Sequence, residues 1–509
     1  DAAGRIYVGL GDPDNQVHVF DAEGKLVQKI GRAGGRPLLG KWASDGLRFV
    51  ADMAVDAEGK LWVAEADISP KRFSVWDTRT GAFVKELFGP TTYGALGGAI
   101  NPLDPSLMVG QGCEWKLDSK SGRDTCLGVI HRDGMENARF GVGKNGKLYL
   151  AVATRWTFDL GPLHIYERLG DADYKLRATV FYTDADGKEV PPPAHGQTGS
   201  AKKTAYWCDE NGDSQRQPNE ITLTDGLVRL SGWYMPMNPD LAFYTANGKF
   251  AVTGYSACGA PKYDLANPAR LPQPNFDPVG RLGSIDGKYL LSDGPYGVDN
   301  GQFVCHDIAS GKVKWTYPDN FIGVHGSHKA VPPETGMVRG SFGPCGAARF
   351  PEPLGNVWIV PTNCGEWHVL TEKGYYLTRL FQGDPLKVNW PEVASPGAIL
   401  DNIPPGLGGE DFGGSVAQAK DGKLFLQAGK TGFWNVEVVG LEDVQALPGG
   451  KLSIGEADVR TAGKFRESYL QEQAANRKAI FRKGSPTFTG DLKKDFARSD
   501  DIKFQKADE

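Results

Sequence analysis

The chain has 509 residues and a formal net charge of −5, from 57 Lys and Arg against 62 Asp and Glu. This length exceeds the usual size of one domain, but β-barrels and propellers keep such lengths as a single unit. The acidic balance disfavours binding to a polyanion such as nucleic acid, and no apolar run reaches the length of a membrane span. With 67 Gly and 33 Pro, the composition indicates many short strands joined by tight turns.

A short pattern recurs along the chain, in which Asp-Gly, Asn-Gly or a similar turn precedes alternating hydrophobic residues. It occurs in DAAGRIYVGL, DAEGKLWVAEA, KNGKLYLAVA, ANGKFAVTGY, IDGKYLLSDG and DGKLFLQAG. Such a turn followed by alternation is a strong hairpin signal. The copies that begin at residues 1 and 56, and those that begin at residues 246 and 285, are roughly 40 to 60 residues apart, a spacing typical of radial or solenoid repeats.

A second pattern alternates with the first and has the form strand, Asp or Thr turn, Gly, strand. It occurs in VHVFDAEGKLVQKIG, FSVWDTRTGAFVKELFG, FVCHDIASGKVKWTYPD and WHVLTEKGYYLTRLFQG, as expected for an outer hairpin. The two patterns together predict an all-β fold, a β-propeller over residues 1–455. Seven blades are favoured, with six or eight as alternatives.

Five segments of the chain carry a family resemblance. GKLWV and VWDTRTG resemble NHL-type propellers, and residues 305–315 resemble one repeat of the quinoprotein propellers, with Asp307, Ser310, Gly311 and Trp315 in the pattern D-x-x-[ST]-G-x-x-x-W. GVHGSHKAVPPETGMVRG and GEWHVLTEKGYYLTRLF are similar to segments of large secreted bacterial propeller proteins of unassigned activity. The resemblance implies the fold far more than the function.

Seven cysteines form no CxxC motif, so zinc ribbons, haem attachment and thioredoxin chemistry have no support. Cys113 and Cys126 flank an apparent hairpin turn, which favours a disulfide between them. Buried free thiols in a reducing compartment are the alternative.

The segment WCDENGDSQRQPNEI, residues 207–221, has the ligand spacing of a calcium loop. Counted from Asp209, oxygen-bearing side chains occupy alternate positions and a glutamate occupies the twelfth; these predicted ligands are Asp209, Asn211, Asp213, Gln215 and Glu220. Ser214 stands where an EF-hand has its turn glycine, and the flanking segments read as strands. We therefore expect a structural Ca²⁺ loop between two strands, with a solvated polar turn as the alternative. Calcium and cysteines together favour a secreted or periplasmic location.

Propeller active sites are usually built from loops between blades. The loop VHGSH carries His325 and His328, which could bind a metal or act as a base and its orienting partner. Together with Arg339 they form the predicted catalytic set. Both histidines bonding to backbone carbonyls is the alternative.

Four further residues are predicted to bind ligand. Glu410 and Asp411 lie between glycine pairs, where backbone can approach a ligand closely, although turn formation also explains them. Trp367 and Tyr296 offer aromatic faces for stacking on sugar rings, although most aromatic residues of a propeller pack between its sheets. Arginine with tyrosine and histidine would suit a uronate, as in polysaccharide lyases on propeller scaffolds.

After residue 455 the composition of the sequence changes. Residues 464–483 contain strong helix formers without Gly or Pro, which predicts a helix packed on the propeller. The charged tail that ends the 456–509 extension is typical of a mobile segment, and the start of a further domain of a longer chain is the alternative.

Several chemistries lack their motifs, among them the G-x-S-x-G elbow, the P-loop, H-E-x-x-H and the dinucleotide fingerprint. The sequence thus leaves two classes of function. One is an enzyme acting on extracellular polysaccharide, as a lyase or hydrolase. The other is a non-catalytic propeller that binds carbohydrate or protein.

Overall fold

The computed structural model describes most of the chain. The described residues are 1–89, 98–132, 137–153, 161–191, 198–230, 234–295, 301–319, 336–338, 340–362, 366–381, 397–400, 414–428 and 434–482. They belong to two compact units. Unit 1 consists of Asp1–Arg270, Val393–Gly397 and Gly413–Val439, and unit 2 of Leu271–Glu392, Ala398–Phe412 and Gly440–Glu509.

Unit 1 begins with three antiparallel sheets, of order β1-β2-β3, β5-β6-β7-β8 and β4-β12-β11-β10-β9. Their strands are β1 (Ile6–Gly9), β2 (Val17–Phe20), β3 (Leu26–Ile30), β4 (Gly40–Lys41), β5 (Val50–Val55), β6 (Lys60–Glu65), β7 (Arg72–Asp77), β8 (Phe83–Phe88), β9 (Ala99–Ile100), β10 (Leu107–Gly110), β11 (Cys113–Asp118) and β12 (Arg123–Val129).

A six-stranded sheet, two two-stranded sheets and a final three-stranded sheet complete unit 1. Their strands are β13 (Asn137–Val142), β14 (Leu148–Ala153), β15 (Leu163–Gly170), β16 (Asp173–Thr183), β17 (Lys203–Cys208), β18 (Ile221–Asp225), β19 (Phe243–Thr245), β20 (Gly248–Phe250), β21 (Gly254–Tyr255), β22 (Pro261–Lys262), and, later in the chain, β31 (Gly414–Gln418), β32 (Leu424–Ala428) and β33 (Trp434–Val438).

Unit 2 contains two four-stranded sheets, in which consecutive strands are hydrogen-bonded neighbours, and one α-helix. Its elements are β23 (Gly280–Gly283), β24 (Tyr289–Gly294), β25 (Gln302–Asp307), β26 (Val313–Pro318), β27 (Gly346–Arg349), β28 (Asn356–Pro361), β29 (Trp367–Thr371), β30 (Tyr376–Leu380) and α1 (Glu456–Arg482).

The first sequence pattern forms the turn and second strand of a sheet. In DAEGKLWVAEA the Asp56 carboxylate accepts hydrogen bonds from the amides of Glu58 and Lys60, and Gly59 adopts a left-handed φ of 72°. β6 then alternates between partly exposed and buried residues, which places Leu61 and Val63 in the core of unit 1. The turn therefore fixes the register, and the alternation buries one face.

The second pattern forms the outer hairpin of a sheet. Asp307 accepts hydrogen bonds from both the amide and the hydroxyl of Ser310, and Gly311 has a left-handed φ of 70°. The Trp315 indole donates to the Glu372 carbonyl across to the next sheet of unit 2. The motif thus combines a tight turn with a tryptophan that packs one sheet on its neighbour, and Asp77 repeats the same turn in unit 1 with Thr80.

Consecutive meander sheets, each opening where the previous one ends, define an all-β propeller fold with a C-terminal helix, which confirms the predicted fold class. The number of blades stays a prediction. Within unit 1 the opening strands of neighbouring sheets contact each other, β1 with β5 and β9 with β13. The last sheet contacts β9 as well, and the Gln427 side chain accepts a hydrogen bond from the Gly98 amide.

The C-terminal helix runs from Glu456 through Gly463 to Arg482, within the predicted 456–509 extension. The helix was expected to pack on the propeller. Its Phe465 side chain is 47% exposed, so this residue is not buried against other parts of the chain as that expectation requires. No helix among the described residues is long and apolar enough to cross a membrane.

The predicted disulfide between Cys113 and Cys126 is wrong, because both are free thiols. In the sheet register Cys113 lies opposite Val129, whereas Cys126 lies opposite Trp115, so the two thiols occupy different rungs of the β11–β12 hairpin. Burial raises the pKa of Cys208 and of Cys305 to about 12, which keeps both thiols protonated and unreactive.

Candidate functional site

The predicted calcium loop connects β17 to β18 and ends in a short 3₁₀ turn, Pro218–Glu220. Aspartate and asparagine side chains wind the loop by bonding to amides further along the chain, as in Asx turns. The Asp209 carboxylate accepts from the Gly212 amide at 2.7 Å, Asn211 accepts from Asp213 at 2.9 Å, and Asp213 accepts from Gln215 at 2.7 Å. The chain therefore curls around its own polar side chains.

The polar ends of three loop side chains meet at one point. The Asn211 amide lies 3.1 Å from an Asp213 carboxylate oxygen and 3.0 Å from the Gln217 side-chain oxygen, and the Gln217 amide donates to Asp213 at 2.6 Å. As they stand, the Asn211 and Gln217 amides donate to the Asp213 carboxylate, so a bound cation would require both amides to present their oxygens in place of their NH₂ groups. This convergence of oxygen-bearing groups is what a hard cation requires of a loop.

The carboxylates at the first and twelfth positions anchor the base of the loop. Asp209 is fully buried and forms an ion pair with Arg177 at 2.8 Å. Buried Glu220 accepts hydrogen bonds from the Trp207 indole at 2.8 Å and from the Glu210 amide at 2.9 Å. Each carboxylate oxygen has a second lone pair, so these bonds leave room for a cation ligand.

Two further details bear on the prediction. Ser214 adopts a left-handed φ of 59°, so the chain turns at the position where an EF-hand has glycine. The exposed Gln215 side chain joins none of the converging groups, which leaves its backbone as the predicted contribution at position seven. No group of three His, Cys, Asp or Glu side chains placed to hold a metal occurs within the described ranges, because the converging set contains amides.

The loop is tied to the neighbouring strands by a charge network. Arg177 pairs with Glu167 at 2.7 Å, and Lys147 pairs with the other oxygen of Glu167 at 2.8 Å. Ser256 and Cys258 both donate to the Asp209 carbonyl. The base of the loop is thus rigid, while its tip is exposed.

A polar cleft of about 480 Å³ lies between β1 and β5 in unit 1. Asp1, Arg5, Tyr7 and Asp52 contribute its polar groups, and Met53 and Leu61 are among its apolar lining. Arg5 pairs with Asp1 at 2.8 Å, and the Tyr7 hydroxyl donates to the same carboxylate at 2.9 Å. A cleft of this size and polarity suits a small hydroxylated ligand.

A buried ion-pair network lies at the ends of β6 and β7; we call it the arginine cluster. Arg72 pairs with Glu65 at 2.5 Å and with Glu86 at 2.7 Å. Arg36 pairs with Glu65 at 3.0 Å and with Asp67 at 2.8 Å, and Arg132 pairs with Asp67 at 2.5 Å. Three arginines thus meet three carboxylates, an arrangement that neutralises itself.

The pKa values of two of these carboxyls differ in direction. Burial raises the pKa of Glu65, although Arg72 and Arg36 oppose the change. Burial acts in the same sense on Asp67, but its hydrogen bonds from Arg132 and Arg36 outweigh it and lower the pKa. Each of the three carboxylates has at least one arginine partner, which favours a structural role for the arginine cluster, although the Nε and Nη1 atoms of buried Arg36 have no hydrogen-bond partner among the described residues.

Trp367, predicted to stack on ligand, lies in β29 and is only 1% exposed. It pairs in register with Pro361 and Leu380, so neighbouring strands cover its rings and it offers no face to a sugar. The other predicted site residues outside the calcium loop lie outside the described residues; they are Tyr296, His325, His328, Arg339, Glu410 and Asp411.

In unit 2, the described segments that precede and follow residues 320–335 contact each other. Tyr317 donates to the Gly336 carbonyl, Asp319 and Val338 form a parallel bridge, and the Ser341 amide donates to the Asp319 carboxylate at 3.5 Å. Buried Asp293 and Asp319, which sequence reasoning missed, lie at this point. The sequence pattern did not distinguish them, because an aspartate next to Gly-Pro or after a proline is typical of an ordinary turn.

No protein-family model and no curated protein matches the sequence. Solved structures with a similar fold include the Dos1 propeller, with 13% identity over 86% of this chain and 76% of that chain, at a TM-score of 0.21. A periplasmic gluconolactonase of Pseudomonas aeruginosa has 14% identity over 74% and 95%, at a TM-score of 0.28. A functionally unknown protein of Desulfotomaculum acetoxidans has 11% identity over 78% and 96%, at 0.24. At identities and TM-scores this low, no activity of these proteins is inferred for this chain.

Proposed function

We propose that the chain is a calcium-binding β-propeller that acts on extracellular polysaccharide. The observation that carries the calcium part is the convergence of Asn211, Asp213 and Gln217 at the tip of a loop whose base carboxylates, Asp209 and Glu220, are already fixed. A solvated polar turn does not need five oxygen-bearing side chains at these spacings.

In this proposal Ca²⁺ supplies positive charge that offsets the loop carboxylates and joins the end of β17 to the start of β18. Asp209, Asn211, Asp213, Gln217 and Glu220 contribute side-chain oxygens, and Gln215 contributes its backbone carbonyl. Arg177 and Trp207 are positioning residues, because they hold the first and last carboxylates in place.

Calcium removal tests this part. Chelator should lower the melting temperature of the full chain, and added Ca²⁺ should restore it, since a ligand at 100 times its Kd stabilises by about 2.7 kcal/mol. Asp213→Ala should melt at the same temperature with and without Ca²⁺. Because Trp207 contacts Glu220, tryptophan fluorescence should follow the titration.

Two matched variants sharpen this test. Asp186→Ala changes an exposed aspartate in another turn of the same sheet and should keep the full calcium response. Ser214→Gly relieves a left-handed residue of a strain of about 1–2 kcal/mol, of which the greater freedom of glycine in the unfolded chain offsets about 0.5–1 kcal/mol, and it should keep the calcium response. A wild-type melting temperature that ignores chelator would overturn the calcium site.

The polysaccharide part rests on the polar cleft between β1 and β5, together with the predicted catalytic set His325, His328 and Arg339. Tyr296, Glu410 and Asp411 remain predicted ligand-binding residues. The resemblance to NHL-type and quinoprotein propellers, and a secreted or periplasmic location, belong to the same proposal.

A panel of soluble polysaccharides tests this part. Reducing ends report hydrolysis, and ultraviolet absorbance of an unsaturated product reports a lyase. We expect His325→Ala or His328→Ala to abolish activity without loss of folding, and Asp52→Ala in the cleft to weaken retardation in polysaccharide gels. Retardation without cleavage by the wild type would select a non-catalytic binding propeller, and neither retardation nor cleavage would reject the polysaccharide as partner.

A further inference from the structure

The first two sheets of unit 1 are built from the same repeat, so their residues correspond one to one. Asp1 begins the turn before β1 and Asp56 the turn before β6, and each carboxylate accepts hydrogen bonds from the amides two and four residues later. Gly4 and Gly59 both have a left-handed φ, of 75° and 72°. β1, β2 and β3 therefore correspond to β6, β7 and β8, and we call the two sheets, β1–β3 and β5–β8, the N-terminal sheets.

One face of each N-terminal sheet is buried against the other sheet. On β1–β3 this inner face carries Val17 and Ile30, which lie opposite each other in register and are fully buried. On β5–β8 the inner face carries Leu61, Val63 and Trp76, and all five side chains belong to one apolar cluster. The contact joins two different faces of the repeat, because the positions that it uses on one sheet are not those that it uses on the other.

The outer face of β5–β8 carries the residues that correspond to the buried pair Val17 and Ile30. These residues are Phe73 and Leu87, which lie opposite each other in the same way. Their side chains are 50% and 48% exposed, whereas Val17 and Ile30 have no exposed surface. The outer face of β5–β8 is thus a surface of the kind that is buried between the N-terminal sheets, but here it is open to solvent.

The outer face of β1–β3 carries Ile6, Val8 and Phe20, which correspond to the three buried residues of β6 and β7. Ile6 is 55% exposed and Val8 38%, and Phe20 is half-buried. Apolar side chains that are exposed together on one face mark an interaction surface. Since the two inner faces fit each other, the two outer faces are complementary by the same correspondence of residues.

The next sheet in the chain, β4-β12-β11-β10-β9, already has both faces covered. One face packs on the β13–β18 sheet, where Val109 and Leu150 share an apolar cluster. The other face packs on the β31–β33 sheet, where Met108 and Ala417 share another cluster. This sheet is therefore not available to cover the outer faces, and the surface that matches them is carried by a second copy of the chain.

We propose that two copies of the chain associate through these outer faces, with β5–β8 of one copy packed on β1–β3 of the other. Each contact repeats the one between the N-terminal sheets of a single copy, because it joins the same two faces of the repeat. Two such contacts close a ring of four sheets, a size at which propellers close. The assembly is thus a dimer with a two-fold axis, and it does not grow into a filament.

The mass of the full-length chain in solution tests the proposal. Sedimentation velocity at micromolar concentration should give twice the 55.0 kDa of one chain. Phe73→Asp and Ile6→Asp should each raise the Kd of the dimer roughly a hundredfold, since each places an unpaired charge in a desolvated contact. Leu169→Asp, which changes a leucine of β15 with the same 48% exposure as Leu87, should leave the dimer intact.

Mixing Phe73→Asp with Ile6→Asp tests which faces meet. A mixed dimer keeps one intact contact, between β5–β8 of the Ile6→Asp chain and β1–β3 of the Phe73→Asp chain, so the mixture should associate more tightly than either variant alone. Should Phe73→Asp fail to fold, as judged by its melting curve, Leu87→Lys replaces it on the same face.

Three results would overturn the proposal. They are a wild-type mass other than that of a dimer, folded Phe73→Asp and Ile6→Asp chains that stay dimeric, and a mixture that associates no more tightly than its components.

Discussion

Both the arginine cluster of unit 1 and the acid pair of unit 2, Asp293 and Asp319, contain buried carboxyl groups. They differ in the charged groups that surround those carboxyls. In the arginine cluster, Glu65, Asp67 and Glu86 each meet at least one arginine at 3.0 Å or less. In the acid pair, Asp293 has no charged partner of opposite sign among the described residues, and a second carboxyl lies close by.

The difference shows where compensation for buried charge comes from. The chain supplies it at the arginine cluster, at the expense of desolvating three guanidinium groups, and the resulting network is closed to ligands. At the acid pair, burial followed by the Asp319 charge raises the pKa of Asp293, which favours its protonated form. Burial alone therefore does not determine whether a carboxyl group is ionised, because its charged neighbours contribute as well.

The largest expected effect is loss of one arginine from the arginine cluster. Arg72→Ala removes the partner of Glu65 and Glu86 together with bonds to the Gly46 and Ser44 carbonyls. Because an uncompensated buried carboxylate remains, the free energy of unfolding should fall by about 3–5 kcal/mol, measured by urea denaturation.

Arg72→Met separates packing from charge, since it keeps the length of the side chain. It should restore little of the lost stability even when Glu65→Leu is combined with it, because Glu86 still lacks Arg72 and Arg36 loses one of its two carboxylates. Full stability in Arg72→Ala alone would show that the arginine cluster is not a closed network.

Asp67→Asn should have a smaller effect of the same sign. It weakens the bonds to Arg36 and Arg132 without changing the volume, and a loss of about 1–3 kcal/mol is expected. The pKa of Asp67 is lowered in the folded state from 3.8, so its contribution is present above that value and is lost as the pH falls through the folded pKa. Asp67→Asn should therefore flatten the acid limb of the stability profile.

Much of this fold could be predicted from sequence because its turns are local. The Asp-x-x-Ser-Gly turn at Asp307 and the Asp-Gly turn at Asp56 are formed by contacts within four residues, and alternation then assigns the buried face. The turns of the 209–220 loop are local in the same way, and calcium binding there stays a prediction. The helix within the 456–509 extension was predicted from its run of helix formers, which is a local pattern as well.

The remaining parts depend on residues far apart in the chain. Asp293 and Asp319 are separated by 26 positions, and the arginine cluster joins Arg36 to Arg132 through Asp67, so local patterns carry no trace of either. The prediction of a Cys113–Cys126 disulfide was wrong because of the strand register. In the β11–β12 hairpin Val129, and not Cys126, lies opposite Cys113. Trp367 failed because a tryptophan in a buried strand has the same local pattern as an exposed one.

Asp293→Asn should have the opposite sign to Asp67→Asn when both are measured in chelator at pH 8. The carboxamide has the same shape but removes a negative charge next to Asp319, so the free energy of unfolding should rise, by about 1 kcal/mol. A loss of stability in chelator would mean that the Asp293 charge is already compensated within the chain.

The smallest effect is expected at an exposed ion pair with similar geometry. Arg32 and Asp45 approach to 3.0 Å, as close as Arg36 and Glu65, but the side chains of the first pair are 51% and 54% exposed. Water already solvates both groups and salt screens them, so Arg32→Ala should change the free energy of unfolding by less than about 0.5 kcal/mol, and 1 M salt should abolish the difference. Urea denaturation of Arg32→Ala beside Arg72→Ala thus isolates burial as the variable. Equal losses in the two variants would mean that contact distance, and not desolvation, determines what these arginines contribute.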